Sequence, residues 1–203
     1  MRSCMHPSRE RIWDTEADEL LEIGKHEKEV TCIVRVKAAL ALSSSADGTI
    51  KLWMPGGKCC AFDGHTAGVV TCCVFDESRK LLSCSENGEI FVWNIRNPKA
   101  PSLLIKGHGD QRITACDVSK DGRLLLSGST DKSICIWDAD TGSLMAHTSF
   151  TDCVRCCRFA PTLESTKVAV GTDSGGVFMY DHRNGATQEF GQHNSWVCDL
   201  LFS

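Results

Sequence analysis

Five times in this chain a short β-rich segment closes on an aromatic residue, at Trp13, Trp53, Trp93, Trp137 and Tyr180, with steps of 40, 40, 44 and 43 residues. Near-equal spacing of one residue type over a whole chain marks a protein of stacked repeats, each unable to bury its apolar face alone. A second column agrees with the first. The apolar residues that open an early strand, Val30, Val70, Ile113, Val154 and Val197, fall 40, 43, 41 and 43 residues apart. Three residues further on stand Ile33, Cys73, Cys116, Cys157 and Leu200, and five further on Arg35, Phe75, Val118, Phe159 and Phe202. Positions three and five share a face at strand period two, which predicts a half-apolar strand in nearly every repeat.

The stretches LALSSSADGTIKLW, LLSCSENGEIFVW and LLLSGSTDKSICIW follow. Each joins an apolar run to a second β-rich run through a turn-forming pair: Asp47-Gly48, Asn87-Gly88 or Asp131-Lys132. Each predicts a tight hairpin. After the closing aromatic comes turn material (Pro55-Gly56-Gly57, Asn97-Pro98, Asp140-Thr141-Gly142, Asn184-Gly185) and a weaker apolar segment such as 102–105 or 144–150. Four short strands per period result. Residues 16–23 could form a helical turn or two, but their register assigns them to an outer strand.

Gly24-Lys25-His26, Gly64-His65, Gly107-His108 and Gly191-Gln192-His193 precede the first strand of their repeats, while Trp13-Asp14 and Trp137-Asp138 close the third. On these residues the chain resembles the WD40-repeat family of β-propellers over nearly its full length. The resemblance implies an all-β chain forming one repeat domain over residues 1–203. Complete four-stranded blades are expected at about 30–62, 70–105, 113–150 and 154–190, with partial blades at 8–24 and 197–203. It also implies a hydrogen-bonded tie within each blade: His26, Ser43, Asp47 and Trp53 in the first, and His108, Ser127, Asp131 and Trp137 in the third. In the second, His65, Ser83 and Trp93 match while Asn87 replaces the acid, so a neutral bond is expected there. In the fourth, Tyr180 replaces Trp, Ala169 stands where Ser is expected and an extra Gly follows Asp173, so apolar packing is expected to replace the tie. Strand two of a fifth blade is missing, so the expectation is an open arc or a segment of a seven-bladed ring.

The formal net charge of −4 makes nucleic acid or anionic lipid an unfavoured main partner, and no run of 18 apolar residues offers a membrane span. The 13 cysteines are an odd number, several side by side, which suits free thiols in cytoplasm or nucleus. Cys153 and Cys156 form a Cys-x-x-Cys, yet the cysteines recur at equivalent strand positions, as buried core residues do; no metal or cofactor is expected. The His, Ser and Asp that could imitate a catalytic triad also recur in several blades, whereas a catalytic group is needed once; the reading is non-catalytic.

What remains is protein binding. Trp196 is the tryptophan outside the periodic column, and Glu86, Asp110, Gln111, Arg112, Lys132 and Asn194 lie on the same set of loops, around one mouth of the expected channel. A mixed-charge rim suits a protein or peptide ligand, so a scaffold joining proteins into an assembly is the leading expectation. The segment 81–96 also resembles the box by which some family members dock on the adaptor of cullin-RING ubiquitin ligases, with Arg96 ending it and Arg183 ending a looser copy. A substrate receptor of such a ligase, and a phosphoinositide- or nucleic-acid-binding propeller, are the alternatives.

Overall fold

Every described strand hydrogen-bonds a neighbour in its own repeat, in simple meander order. The computed structural model describes residues 9–14, 19–37, 40–54, 58–75, 79–162 and 166–202; the side chains of residues 9–14, 19–23 and 37 are outside that description. The turn expected at 55–57, and the expected ends of the partial blades at 8 and 203, also lie outside the described residues. Strands β1 (Arg9–Asp14) and β2 (Glu19–Lys25) pair as a hairpin, so the segment with helical character is a strand. Blade one follows, with β3 (Val30–Lys37), β4 (Leu40–Ser45), β5 (Thr49–Met54) and β6 (Lys58–Asp63). Blade two holds β7 (Val69–Phe75), β8 (Lys80–Ser85), β9 (Glu89–Asn94) and β10 (Leu103–Lys106). Blade three holds β11 (Ile113–Val118), β12 (Leu124–Ser129), β13 (Ser133–Asp138) and β14 (Leu144–Ser149). Blade four holds β15 (Val154–Phe159), β16 (Lys167–Thr172), β17 (Gly176–Asp181) and β18 (Ala186–Gln192).

The inner strands β3, β7, β11 and β15 are successive neighbours, and the blades stack face to face through three apolar clusters. Leu42, Ile50 and Phe62 of blade one meet Leu81, Phe91 and Trp93 of blade two. Leu82, Ile90 and Ile105 meet Leu125 and Trp137, and Leu126, Ile134 and Ile136 meet Val168, Val170 and Tyr180. Because each middle strand is covered on both faces, β8, β9, β12 and β13 are almost continuously buried, and their sequences are apolar runs rather than clean alternations.

The ring is not closed. Ile33 occupies the register position of Cys72, Cys116 and Cys157, opposite Ser43 as they are opposite Ser83, Ser127 and Val170. Those cysteines are buried between blades, whereas Ile33 is 67% exposed. At the other end Phe190, which lies in the bulge of β18 between Glu189 and Gly191, is 62% exposed. Residues 197–202 carry no strand ladder; the Val197 N–H donates to Thr172 O at 3.2 Å and the Asp199 carboxylate pairs with Arg158 at 3.6 Å.

The second blade enters one residue earlier than its sequence pattern suggests. Val69, not Val70, pairs with Ser85, as Val30, Ile113 and Val154 pair with Ser45, Ser129 and Thr172. A bulge follows each of these openers, and two adjacent valines satisfy the apolar pattern in either register.

Candidate protein-interaction face

The loops between β4 and β5, and between their counterparts, gather at one end of the blades together with the loops that enter each inner strand. Their geometry starts from a β-turn: the N–H of Gly48, Lys132 and Gly175 donates to the C=O of Ser45, Ser129 and Thr172 at 3.1, 3.2 and 3.1 Å. The residue closing the turn is left-handed, with φ of 85° at Gly48, 76° at Gly88 and 93° at Gly175. Asp47 and Asp131 thus sit inside a three-residue loop, aimed back at the histidine, rather than at the left-handed position of a two-residue turn.

In blade one, His26 Nδ1 lies 3.0 Å from Asp47 Oδ2 and its Nε2 lies 2.9 Å from Ser43 Oγ, which also accepts the Trp53 indole N–H at 2.8 Å. Blade three repeats this with His108 to Asp131 at 2.9 Å, His108 to Ser127 at 2.8 Å and Trp137 to Ser127 at 2.9 Å. The glycine two or one residues before each histidine gives the indole room: a Cβ would fall 2.2 Å from Trp53 at Gly24, 2.9 Å from Trp93 at Gly64 and 2.8 Å from Trp137 at Gly107. Burial raises the Asp47 carboxyl, but hydrogen bonds from Thr49 and Glu27 outweigh it and bring it down to about 2. Burial likewise lowers His108, against the pull of Asp131, so its imidazole is held neutral.

Blade two departs from expectation. Asn87 does not bond His65; its amide donates to Thr66 Oγ1 at 2.7 Å. The acid facing His65 is Glu89, two residues on and one methylene longer, with Oε2 3.6 Å from Nδ1. Glu89 spends its carboxylate on the Thr66 N–H at 3.1 Å and hydroxyl at 3.0 Å, and burial lowers His65 to about 4. His65 Nε2 and the Trp93 indole still share Ser83, at 2.7 and 2.8 Å. Glu89 stands in the column of Thr49 and Ser133, and a carboxylate in that column was the available signal.

In blade four, Val170 rather than Ala169 takes the serine position, and Ser174 the aspartate position, because Gly171 pairs with Val177 as Ser44 pairs with Ile50. No glycine is extra: Gly175 closes the turn, and Asp173 moves to the rim, where Oδ1 is 2.5 Å from Arg155 Nε.

The loop residues fall into two groups. Glu86 and Arg112 form an exposed ion pair at 3.4 Å, with Asp110 and Gln111 in the same loop as Arg112. That loop turns left-handed through His108, Gly109 and Asp110, at φ of 58°, 54° and 63°, and Asp110 Cα packs close over Gly88. Lys132 is left-handed too, at φ 73°, where the other blades use glycine, and its Nζ reaches Thr151 O at 3.4 Å. Beyond blade four, Asn194 is exposed and Trp196 is 57% exposed, with the Arg155 guanidinium carbon 5.6 Å from its ring centroid. Arg155 and Asp173 escaped sequence reasoning; the signal was their place, since Arg155 follows Val154 as Thr31, Val70 and Thr114 follow their openers. Arg155, Thr31, Val70 and Thr114, with Glu29, Val30 and Arg112, line a cavity of ≈350 Å³ at this end of the inner strands; of the predicted loop residues Arg112 is the one in its wall.

Arg96 and Arg183 lie at the other end of the sheets, where β9 and β17 finish, both exposed. Their backbones match: the N–H of each donates to the side chain two residues earlier, Asn94 at 2.9 Å and Asp181 at 3.0 Å.

The Cys-x-x-Cys thiols diverge: Cys153 Sγ points to Thr130 O at 3.3 Å and Cys156 Sγ to Val197 O at 3.5 Å. Burial pushes Cys156 up to about 11 and also raises Cys157 well above the usual thiol range. The described cysteines are all free thiols, and among the described residues no three His, Cys, Asp or Glu side chains are grouped to hold a metal ion. No helix among the described residues is long and apolar enough to cross a membrane.

Four-stranded blades, three of them tied by His, Ser and Trp, stacked through their inner strands define a repeat propeller. The chain belongs to the WD40 family: the pattern described as WD domain, G-beta repeat matches residues 18–54, 56–94 and 100–138. The matches end before blade four, where the tie is lost. Among curated relatives, human Apoptotic protease-activating factor 1 is 32% identical over 80% of this chain and 14% of its own length. Human Angio-associated migratory cell protein is 24% identical over 96% of the chain and 46% of its own length. The U5 small nuclear ribonucleoprotein 40 kDa protein of Dictyostelium discoideum is 29% identical over 69% and 39%. The chain thus spans less than half the length of each of these relatives.

Proposed function

We propose that this chain is a non-catalytic scaffold that binds other proteins through the loop face and channel mouth, within an assembly in the cytoplasm or nucleus. The observation that carries this reading is backbone strain. Among the described residues, the non-glycine residues with positive φ are His108, Asp110 and Lys132, and all belong to the loops of one blade on this face. Such conformations cost on the order of 1–3 kcal/mol each and collect at ligand-binding sites. The turns at Gly48 and Gly88 reach the same shape with glycine, so the fold does not require a lysine at 132. Family membership supports protein interaction in general; free thiols and a relative named for a small nuclear ribonucleoprotein support the compartments.

The test is affinity capture with quantitative peptide identification, comparing the parent sequence with the pair Asp110→Lys and Lys132→Glu and with a control, Glu189→Lys, on the exposed outer strand β18. The loop-face pair loses the specific partners and the control keeps them. Equal recovery by all three would remove the loop face from the account.

A second reading rests on the shared turns at Arg96 and Arg183: docking on a ubiquitin-ligase adaptor through the opposite end of the sheets. Reversing both charges then abolishes adaptor pull-down and leaves loop-face partners bound. The four blades are proposed as part of a longer ring, supported by Ile33 standing exposed where its counterparts are buried and by the exposed Phe190 on the outer strand of blade four. A monodisperse monomer with one cooperative melt in light scattering would count against that.

A further inference from the structure

Opposite the serine position of each middle hairpin stands a residue on the same strand face as the closing aromatic, two positions before it. In three blades it is large: Lys51 faces Ser43, Phe91 faces Ser83 and Phe178 faces Val170. Lys51 places Nζ 5.8 Å from the Trp53 ring centroid and donates to Lys25 O at 2.8 Å. Phe91 stacks on His65, with centroids 4.3 Å and planes 13° apart, and meets Trp93 edge to face at 5.3 Å. Phe178 packs against Phe150 at 5.2 Å between centroids. Blade three has Cys135 in this place, opposite Ser127.

A cysteine cannot reach as far as a phenylalanine, and beside it lies a cavity of ≈620 Å³ lined by Lys106, His108, Gln111, Cys135, Trp137 and Leu144, among others. A bulge in β14 sets Leu144 opposite Trp137 and His147 opposite Cys135, so both side chains join the wall while the β14 amides stay in their ladder with β13. The two nitrogens of His108 are engaged in the ring plane, Nδ1 with Asp131 at 2.9 Å and Nε2 with Ser127 at 2.8 Å, so what the imidazole offers the cavity is its face. Burial pushes the Cys135 thiol up to about 12, which keeps that wall uncharged. Gly109 on the rim is exposed, and a Cβ there would meet nothing within 4 Å, so entry is open on that side.

We propose that this cavity receives the aromatic side chain, Phe or Tyr, of a partner peptide, which takes in blade three the place that Phe91 takes in blade two, against the face of His108 and the ring of Trp137. The proposal rests on the protein-binding reading above and names the group that the partner brings. Blade two is the fitting template because glycine immediately precedes the histidine in both blades, as Gly64-His65 and Gly107-His108, whereas Lys25 intervenes in blade one. Charge points the same way. Asp131 is the one carboxylate in the lining, and it is committed to His108 and to the Ser133 hydroxyl at 2.7 Å, which leaves Lys106 as the lining's uncompensated charge. A lysine in the cavity, the kind of side chain that fills blade one, would be repelled by Lys106, whereas the negative face of an aromatic ring is attracted to an ammonium.

The test uses the full 203-residue chain and a positional-scanning library of acetylated, amidated nonapeptides, with affinities of selected peptides measured by fluorescence polarisation. One position selects Phe or Tyr; replacing it by Ala weakens binding at least about tenfold and replacing it by Leu about threefold, as the loss of buried ring area and of ring contacts requires. Cys135→Phe, which fills the place from within as blade two does, weakens the aromatic peptide at least about tenfold while the melting temperature holds or rises. Leu144→Lys changes a rim residue that is 54% exposed, spares the core and weakens the same peptide. Equal binding of Phe and Leu peptides, undiminished binding by Cys135→Phe or by Leu144→Lys, p-cresol bound more tightly than any peptide, or no peptide selected at all would each overturn the proposal. A peptide whose binding survives Cys135→Phe and is lost in the Asp110→Lys, Lys132→Glu pair would overturn the ring assignment alone and leave the protein-binding reading standing.

Discussion

Replacing Ser127 by alanine removes one oxygen and strands a buried donor, the Trp137 indole N–H, and a buried acceptor, His108 Nε2. Its Oγ lies 2.8 Å from His108 Nε2 and 2.9 Å from the Trp137 indole nitrogen, and Ser127 itself is 1% exposed. Volume changes hardly at all, so the cost is the desolvation of groups left without partners, about 1–3 kcal/mol for each. His108 is neutral in the fold because burial lowers it, so no charge is stranded, and partial relaxation keeps the sum at roughly 2–4 kcal/mol. That is a large share of the 5–15 kcal/mol typical of a domain. Urea unfolding followed by tryptophan fluorescence measures the loss, and solvent exchange of the Trp137 indole proton by NMR localises it. A matching substitution in blade four gives the sign control. Val170 takes the serine's place there against Tyr180, so Val170→Ser buries a hydroxyl with no tie to join and also destabilises. If Ser127→Ala costs less than about 0.5 kcal/mol, the tie is an ornament of the fold and not a source of its stability.

Three further outcomes follow from the same geometry. Lys132→Gly relieves a left-handed non-glycine residue at φ 73° and raises stability by about 0.5–1 kcal/mol in the same urea titration, while weakening partner capture. Gly107→Ala puts a methyl 2.8 Å from the Trp137 ring and lowers the melting temperature, at a cost of about 1–3 kcal/mol. His65, lowered from 6.5 to about 4 by burial, contributes stability fully present above pH 6.5 that is lost as pH falls towards 4, because the unfolded chain binds the proton first. Asp47, lowered from 3.8 to about 2, adds a second loss below pH 4. NMR titration of His65 with a midpoint near 6.5 would contradict the first of these.

The period of the closing aromatics and the Gly-His pairs made the blades and two of the three ties readable from residues alone, because both follow from strand alternation and from a glycine that an indole must approach. What sequence could not decide was register where chemistry is degenerate. Val69-Val70 fits the pattern either way, and only the bulge after the opener settles it. Asn87 holds the aspartate's position and was expected to give a neutral bond to the histidine, but a longer carboxylate two residues on faces the same histidine. Arg155 and Asp173 read as ordinary strand and turn residues until the stacked inner strands brought them to one channel mouth beside Trp196. Contacts between repeats depend on stacking, which a pattern within one repeat does not encode.

Hydrogen–deuterium exchange of the chain with and without a captured partner tests the protein-binding account most directly. The account predicts slowed exchange in residues 107–112, 130–132 and 193–196, with the outer strands β6, β14 and β18 unchanged. Slowing confined to those outer strands, or to the turns carrying Arg96 and Arg183, would contradict it.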